Sequence, residues 1–65
     1  MMPKFSVIMP AYNAEPYLRR AVESLLATSE RELEVLIVDD GSRDRTLEVA
    51  RELAAEFPRV VRVLT

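Results

Sequence analysis

An apolar run that ends on two adjacent carboxylates constrains the fold more than any other feature. The stretch "VLIVDDGS" occupies residues 35–42, and every side chain from Val35 to Val38 is apolar. A strand without alternating polar residues is buried on both faces, which is typical of a parallel sheet. Asp39 and Asp40 follow at once, and two neighbouring carboxylates repel each other and are costly to bury. The run therefore predicts a buried strand whose carboxyl end carries either a polar site or a helix cap and turn.

The segments around this run alternate between strand and helix patterns. Short β-rich apolar runs predict strands at Phe5–Met9, where Pro10 stops the run, and at Val60–Leu64. Apolar residues at helical spacing predict a first helix over Ala14–Thr28, which the polar residues up to Glu32 close. A second helix is predicted after "GSRD", and it ends before the next proline.

Polar residues at the predicted helix starts are candidate helix caps. Asn13 is placed to cap the first helix, and Asp44 or Ser42 the second, because such side chains accept hydrogen bonds from first-turn N–H groups. The same side chains could instead contact a ligand, and both interpretations stay open. Arg43 and Arg45 likewise have two interpretations: they could neutralise a phosphate, or they could lie in solvent at the start of the helix.

Strand, helix, strand, helix and strand at this spacing predict an α/β fold with a parallel sheet and right-handed crossovers. Two crossovers that advance in one direction give the strand order three-two-one, with both helices on one face. Ligands of such sheets bind outside the carboxyl ends of the strands, where "PAYN" and "DDGS" both lie. The other sheet face and the Phe5–Met9 edge are left uncovered, so we expect the isolated chain to form a homo-oligomer through one of them.

Composition excludes several kinds of site. The chain is 49% hydrophobic and 31% charged, and its nine basic residues are outnumbered by eleven acidic ones, so no nucleic-acid partner is expected. It contains neither cysteine nor histidine, which excludes disulfides, thiolate metal sites and a histidine base. Pro10 interrupts the early apolar run far short of a membrane span. We expect a cytoplasmic location, with membrane association of a longer protein left open.

Two ligand-binding folds fit the strand ends poorly. A dinucleotide-binding fold needs a glycine-rich turn after the first strand, and "PAYNAEP" has no glycine. A phosphoryl-receiver domain also carries an acidic pair, and "VLIVDD" matches it locally. In this chain, however, the pair follows the second predicted strand, and residues 41–65 contain no lysine and only Asp44 as a further aspartate. A receiver domain is therefore only a weak alternative for this chain.

The two strand ends taken together carry a more specific pattern. "PAYN" follows the first strand and "VDDGSRDRT" follows the second. With their spacing, which is kept over nearly the whole chain, these segments closely resemble the start of the family 2 glycosyltransferases, which have the GT-A fold. The resemblance implies that residues 1–65 are the N-terminal part of a GT-A domain with a three-layer, Rossmann-like architecture. It also implies a pocket for a nucleotide-sugar donor, most often a uridine diphosphate sugar.

The resemblance assigns roles to residues at both strand ends. Asp40 would contact the base, since its carboxylate can accept the imide N–H of uracil. Tyr12 can stack on the base, although a packing role is its simpler interpretation. Asp39 would support the turn and the surroundings of the ribose or metal. The pocket wall would consist of Pro10, Ala11 and Val38.

The resemblance also implies parts that residues 1–65 do not contain. In the family, a later Asp-x-Asp motif holds a divalent cation, manganese or magnesium, that neutralises the diphosphate, and inverting members use a further carboxylate as base. We predict no catalytic and no metal-binding residue in this chain, and therefore no sugar transfer by the isolated chain. The alternative from a different class is a small, non-enzymatic α/β module that self-associates.

Overall fold

The structure, a computed structural model, describes residues 5–28 and 32–65 and contains five elements. In chain order these are strand β1 (Phe5–Ala11), helix α1 (Leu18–Leu26), strand β2 (Leu33–Asp39), helix α2 (Thr46–Glu56) and strand β3 (Val61–Leu64). The order confirms the predicted α/β class and the β-α-β-α-β unit. No helix in the described part of the chain is long and apolar enough to cross a membrane.

The three strands form one parallel sheet in the order β1-β2-β3. This is the predicted order three-two-one viewed from the opposite edge, so that prediction is confirmed. The register pairs Ala11 with Asp39, and Val38 with Leu64. The carboxyl ends of all three strands therefore lie at the same end of the sheet, which brings the two loops after β1 and β2 side by side.

One face of the sheet carries both helices and the core. On β2, Val35 and Ile37 face the helices and are fully buried, whereas Leu36 and Val38 alternate with them and face the other way. The helices and β3 contribute buried side chains to the same cluster: Leu18, Val22, Ala50, Leu53 and Val61. Burying an aliphatic side chain of this size contributes about 1.5–3 kcal/mol, so this single layer of contacts dominates the stability of the fold.

The opposite face of the sheet is not covered by any described residue. Its apolar side chains, which we call the open sheet face, are Ile8, Pro10, Leu36, Val38 and Leu64. Ile8 is 66% exposed and Leu64 53% exposed. The register places Ile8 beside Leu36 and Val38 beside Leu64, so the apolar surface is continuous across the three strands.

Two predicted boundaries differ from the structure. β1 does not stop at Pro10 but continues to Ala11, because a proline is tolerated in an edge strand, where one side of the backbone needs no partner. α1 begins at Leu18 rather than Ala14, because a tight turn comes first: the Ala14 carbonyl accepts the N–H groups of both Tyr17 and Leu18, at 3.1 and 2.8 Å. Part of the predicted closing segment after Thr28 lies outside the described residues.

The predicted helix caps also differ from those observed. α1 has Tyr17 at its N-cap, without a side-chain hydrogen bond, so the prediction that Asn13 caps this helix is wrong. α2 has Arg45 at its N-cap, again without a side-chain cap. Asp44 still accepts the N–H of Thr46, the first residue of α2, at 2.9 Å, so it acts from one position before the cap. Ser42 caps neither helix, and its hydroxyl is used elsewhere.

Candidate functional site

The sequence-predicted site residues all lie where β1 and β2 end. Pro10 pairs with Val38 and Ala11 with Asp39, and the N–H of Asp40 donates a hydrogen bond to the Ala11 carbonyl at 3.3 Å. This bond follows the last register pair of the two strands. The residues that come next in the two loops therefore start from neighbouring backbone positions.

Burial divides these residues into two groups. Tyr12 is 57% exposed and Asp40 is exposed as well, so both side chains are accessible to a ligand. Ala11 and Asp39 are buried on the helix side of the sheet, at 3% and 6% exposure. The Ala11 side chain therefore offers almost no surface for a pocket wall. Pro10 and Val38 lie on the open sheet face and do offer surface.

Asp39 combines burial with an unsatisfied oxygen. Its Oδ1 atom is buried and has no hydrogen-bond partner among the described residues. A buried acceptor without a donor costs about 1–3 kcal/mol, and more if the group is charged. Such an atom calls for a donor from outside the described residues, such as an ordered water or a ligand group. Asp39 and Asp40 thus differ in environment although they are adjacent, since one is buried and the other is open to solvent.

Hydrogen bonds from Asn13 tie the β1–α1 loop to the β2–α2 loop. The N–H of Asn13 donates to Ser42 Oγ at 2.9 Å, and Asn13 Oδ1 accepts the N–H of Arg43 at 2.8 Å. One residue further along, the N–H of Ala14 donates to Thr46 Oγ1 at 2.7 Å, in a buried position. The residues that looked like caps of their own helices are therefore bonded across the two loops.

A second set of bonds joins Glu15 to the start of α2. The N–H of Glu15 donates to Asp44 Oδ2 at 3.2 Å, and Glu15 Oε1 accepts the N–H of Arg45 at 3.1 Å. Asp44 also accepts a hydrogen bond from the Thr46 hydroxyl. That hydroxyl bond, helped by the backbone N–H groups of Thr46 and Glu15, holds the pKa of Asp44 below its usual value. We call all these bonds between the two loops the interloop network.

The two arginines of the second loop differ in their partners. The Arg45 guanidinium contacts Glu48 at 2.9 and 3.0 Å, which raises the pKa of Arg45, so this side chain already has an ionic partner. The Arg43 guanidinium has no ion pair within residues 5–28 and 32–65. Of the two, Arg43 is the one still available to a phosphate.

Two positions in these loops have left-handed backbone conformations. Asn13 has a φ of 51° and Gly41 a φ of 75°. Gly41 is the only glycine of the chain, and a Cβ atom built on it would meet no atom within 4 Å, so backbone conformation rather than space accounts for glycine there. Asparagine is among the few other residues that adopt this conformation readily.

Sequence reasoning did not single out Thr46, whose hydroxyl joins the two loops. The available signal was "DRT" itself, in which an acid and a hydroxyl two residues apart follow the acidic pair. Within residues 5–28 and 32–65, no group of three or more histidine, cysteine or acidic side chains that could hold a metal ion is present.

Parallel α/β sheets bind their ligands outside the carboxyl ends of the strands, which is where the exposed polar groups of this unit lie. The sequence profile described as "Glycosyl transferase family 2" matches residues 6–65. The chain therefore belongs to glycosyl transferase family 2, which confirms the resemblance and the partial, Rossmann-like GT-A unit.

Curated relatives match nearly the whole chain. A chondroitin synthase of Escherichia coli is 48% identical over 59 residues, which cover 91% of this chain and 9% of that protein. A hyaluronan synthase of Pasteurella multocida is 46% identical over 59 residues, or 91% of this chain and 6% of that protein. An uncharacterized glycosyltransferase of Haemophilus influenzae is 41% identical over 59 residues, which cover 91% of this chain and 24% of that protein. The chain thus spans less than a quarter of the length of each of these three relatives.

Proposed function

We propose that this chain is the nucleotide-recognition part of a glycosyltransferase that transfers a sugar from a uridine diphosphate sugar to an acceptor. The observation that carries the proposal is the position of Tyr12 and Asp40. Both are exposed; the N–H of Asp40 donates to the Ala11 carbonyl, and Tyr12 directly follows Ala11. Membership of glycosyl transferase family 2 supports a sugar donor as the ligand of this edge.

The two side chains suit the two recognisable parts of uracil. The flat ring of the base can stack on Tyr12, an interaction that contributes about 1–3 kcal/mol per base. The imide N–H of uracil can donate to the Asp40 carboxylate in a charge-assisted hydrogen bond. Cytosine has an acceptor nitrogen at that position and would face the carboxylate without a proton. Asp40 therefore provides selectivity for uridine over cytidine.

The remaining predicted site residues surround this contact. Pro10 and Val38 are register partners on the open sheet face and form the wall next to the base. Ala11 contributes through its backbone, since its side chain is buried. Asp39 supports the turn and the surroundings of the ribose or metal, and a ribose hydroxyl is a suitable donor for its unsatisfied Oδ1.

No chemical step is assigned to the residues of this chain. As the family resemblance implies, manganese or magnesium and the acceptor base are assigned to other parts of the enzyme, and the isolated chain is expected to transfer no sugar. The expected partners are the nucleotide-sugar donor, an acceptor and a second copy of the chain bound through the open sheet face or the Phe5–Met9 edge, in a cytoplasmic setting. A self-associating module without enzymatic function stays the alternative, favoured by the exposure of Ile8 and Leu64.

The experiment that tests the donor site is a calorimetric titration with uridine diphosphate. It uses the full-length protein, of which we propose this chain to be the N-terminal part. Asp40→Ala should weaken binding by about 1.5–3 kcal/mol, or about 10- to 150-fold, because it removes a charged acceptor. Arg51→Ala, an exposed change on α2, serves as control and should leave the affinity unchanged. Unchanged affinity of the Asp40→Ala variant would contradict the assignment.

A further inference from the structure

Three hydrogen bonds enclose the point where the two loops leave the sheet. On the sheet side of Tyr12 and Gly41, the N–H of Asp40 donates to the Ala11 carbonyl. On the far side, Asn13 makes two bonds, to Ser42 and to Arg43. Tyr12 is the single residue between the bonded positions of the first loop. Gly41 occupies the matching position between Asp40 and Ser42 in the second loop. The backbone of Tyr12 is therefore fixed on both sides, and so is the backbone that follows Asp40.

Asn13 is the residue that closes this arrangement. Its backbone N–H and its side-chain oxygen contact two successive residues of the second loop, at 2.9 and 2.8 Å. The left-handed φ of 51° allows one residue to present both groups to the same loop. Few residue types combine a short side-chain acceptor with tolerance for this conformation, and asparagine is one of them.

These two bonds are exposed to solvent. Water can replace an exposed hydrogen bond at little cost, so their net contribution to the stability of the fold is small. Their effect on geometry is larger, because they restrict the residues that separate Asn13 and Ser42 from the end of the sheet. Loops that are ordered before a ligand arrives bind it with a smaller loss of entropy. The bonds of Asn13 are thus better suited to orienting the loops than to stabilising the domain.

We propose that Asn13 is a positioning residue that sets the Tyr12 ring relative to the Asp40 carboxylate before the nucleotide binds. The inference rests on the proposed function, because it concerns the same base-recognition site. Asn13 acts through its bonds to Ser42 and Arg43 and needs no contact with the ligand. This positioning should affect specificity. If the loop moved, the base could stack on Tyr12 without lying at hydrogen-bonding distance from Asp40.

The test compares two substitutions of Asn13 in the full-length protein. Asn13→Gly keeps the left-handed backbone accessible but removes the bond to the Arg43 N–H, whereas Asn13→Asp keeps an acceptor oxygen at the same place. Calorimetry with uridine diphosphate and with cytidine diphosphate measures both affinity and selectivity. We expect Asn13→Gly to weaken uridine diphosphate binding about 2- to 12-fold and to lower the preference for uridine, and Asn13→Asp to restore both.

A double-mutant cycle separates positioning from general damage. If Asn13 acts through Asp40, then Asn13→Gly should have little further effect on affinity in an Asp40→Ala background. A purely structural defect would weaken both nucleotides equally and would leave their ratio unchanged, which would overturn the inference. The inference is also overturned if the Asn13→Gly variant binds uridine diphosphate as tightly as the wild-type protein while the Asp40→Ala variant binds it more weakly. In that case the proposed function still stands. If Asp40→Ala itself has no effect, the proposed function fails first, and the inference fails with it.

Discussion

The two faces of the sheet are built from the same strands but are covered very differently. On the helix side, Val35 and Ile37 are completely buried, whereas on the open sheet face Ile8 and Leu64 keep more than half of their surface in solvent. Apolar residues alone therefore do not decide where this fold gains its stability. What decides it is which face the two crossover helices return to, so one face holds the domain together and the other keeps apolar side chains exposed in the described part of the chain.

The largest effect expected from this contrast is on stability. Leu53→Ala removes a fully buried side chain from the helix side and should lower the free energy of unfolding by about 2–5 kcal/mol. Leu64→Ala makes the same chemical change on the open sheet face and should cost less than about 1 kcal/mol. Urea denaturation of both variants, followed by circular dichroism, measures the difference. Similar costs at the two positions would show that the open sheet face is covered in solution.

A second prediction concerns association of the chain. Exposed apolar surface favours self-association, so the chain should sediment as a dimer or larger species at high micromolar concentration. Ile8→Lys places a charge in the open sheet face and should shift the chain towards monomer. Ala55→Lys adds the same charge at an exposed position on α2 and should not. A wild-type chain that sediments as a monomer, or equal dissociation of both variants, would contradict the use of this face.

The smallest expected effect concerns the interloop network at the start of α2. It tests whether the Asp44 carboxylate contributes to the stability of the fold. The hydrogen bond from the Thr46 hydroxyl keeps the pKa of Asp44 below the usual 3.8. A carboxyl whose pKa is lower in the folded state stabilises the fold above its unfolded pKa, and this contribution is lost as the pH falls through the folded pKa. Unfolding measured at about pH 5 and about pH 3 should therefore show a smaller loss of stability for Asp44→Asn than for the wild-type chain.

Asp40→Asn is the control for this comparison, because it removes a neighbouring charge that makes no bond to Thr46. It should keep the loss of stability seen in the wild-type chain. If Asp44→Asn loses as much stability on acidification as the wild-type chain does, the interloop network does not stabilise the fold through this carboxylate.

The elements of the fold were predictable from the sequence because each depends on a local pattern. The uninterrupted apolar run of Val35–Val38 indicates a central parallel strand, and the structure places β2 between the other two strands. The course of β1 through Pro10 was not predictable, because a proline is excluded from a central strand but tolerated at an edge. Whether a strand lies at an edge is a property of the whole sheet.

The candidate site was predictable in its location but not in its internal bonding. Parallel strands end at one edge, so the position of "PAYN" beside "DDGS" follows from topology alone. The partners of Asn13, Ser42 and Asp44 do not, because a side chain that can cap its own helix has the same local sequence as one that bonds to another loop. The contribution of Asp39 and Asp40 to ligand binding stays a prediction, although their contrasting burial is now visible.

The hydrogen bond between Ala14 and Thr46 has a consequence for how the chain matures during synthesis. It joins residues 32 positions apart, and the other bonds between the two loops span 29 or 30 positions. At about 5–20 residues per second, a ribosome needs roughly 2–6 seconds to add Thr46 after Ala14. Throughout that interval the first loop has no counterpart to bond with. The loop that carries Tyr12 therefore acquires its final shape only once the start of the second helix has been made.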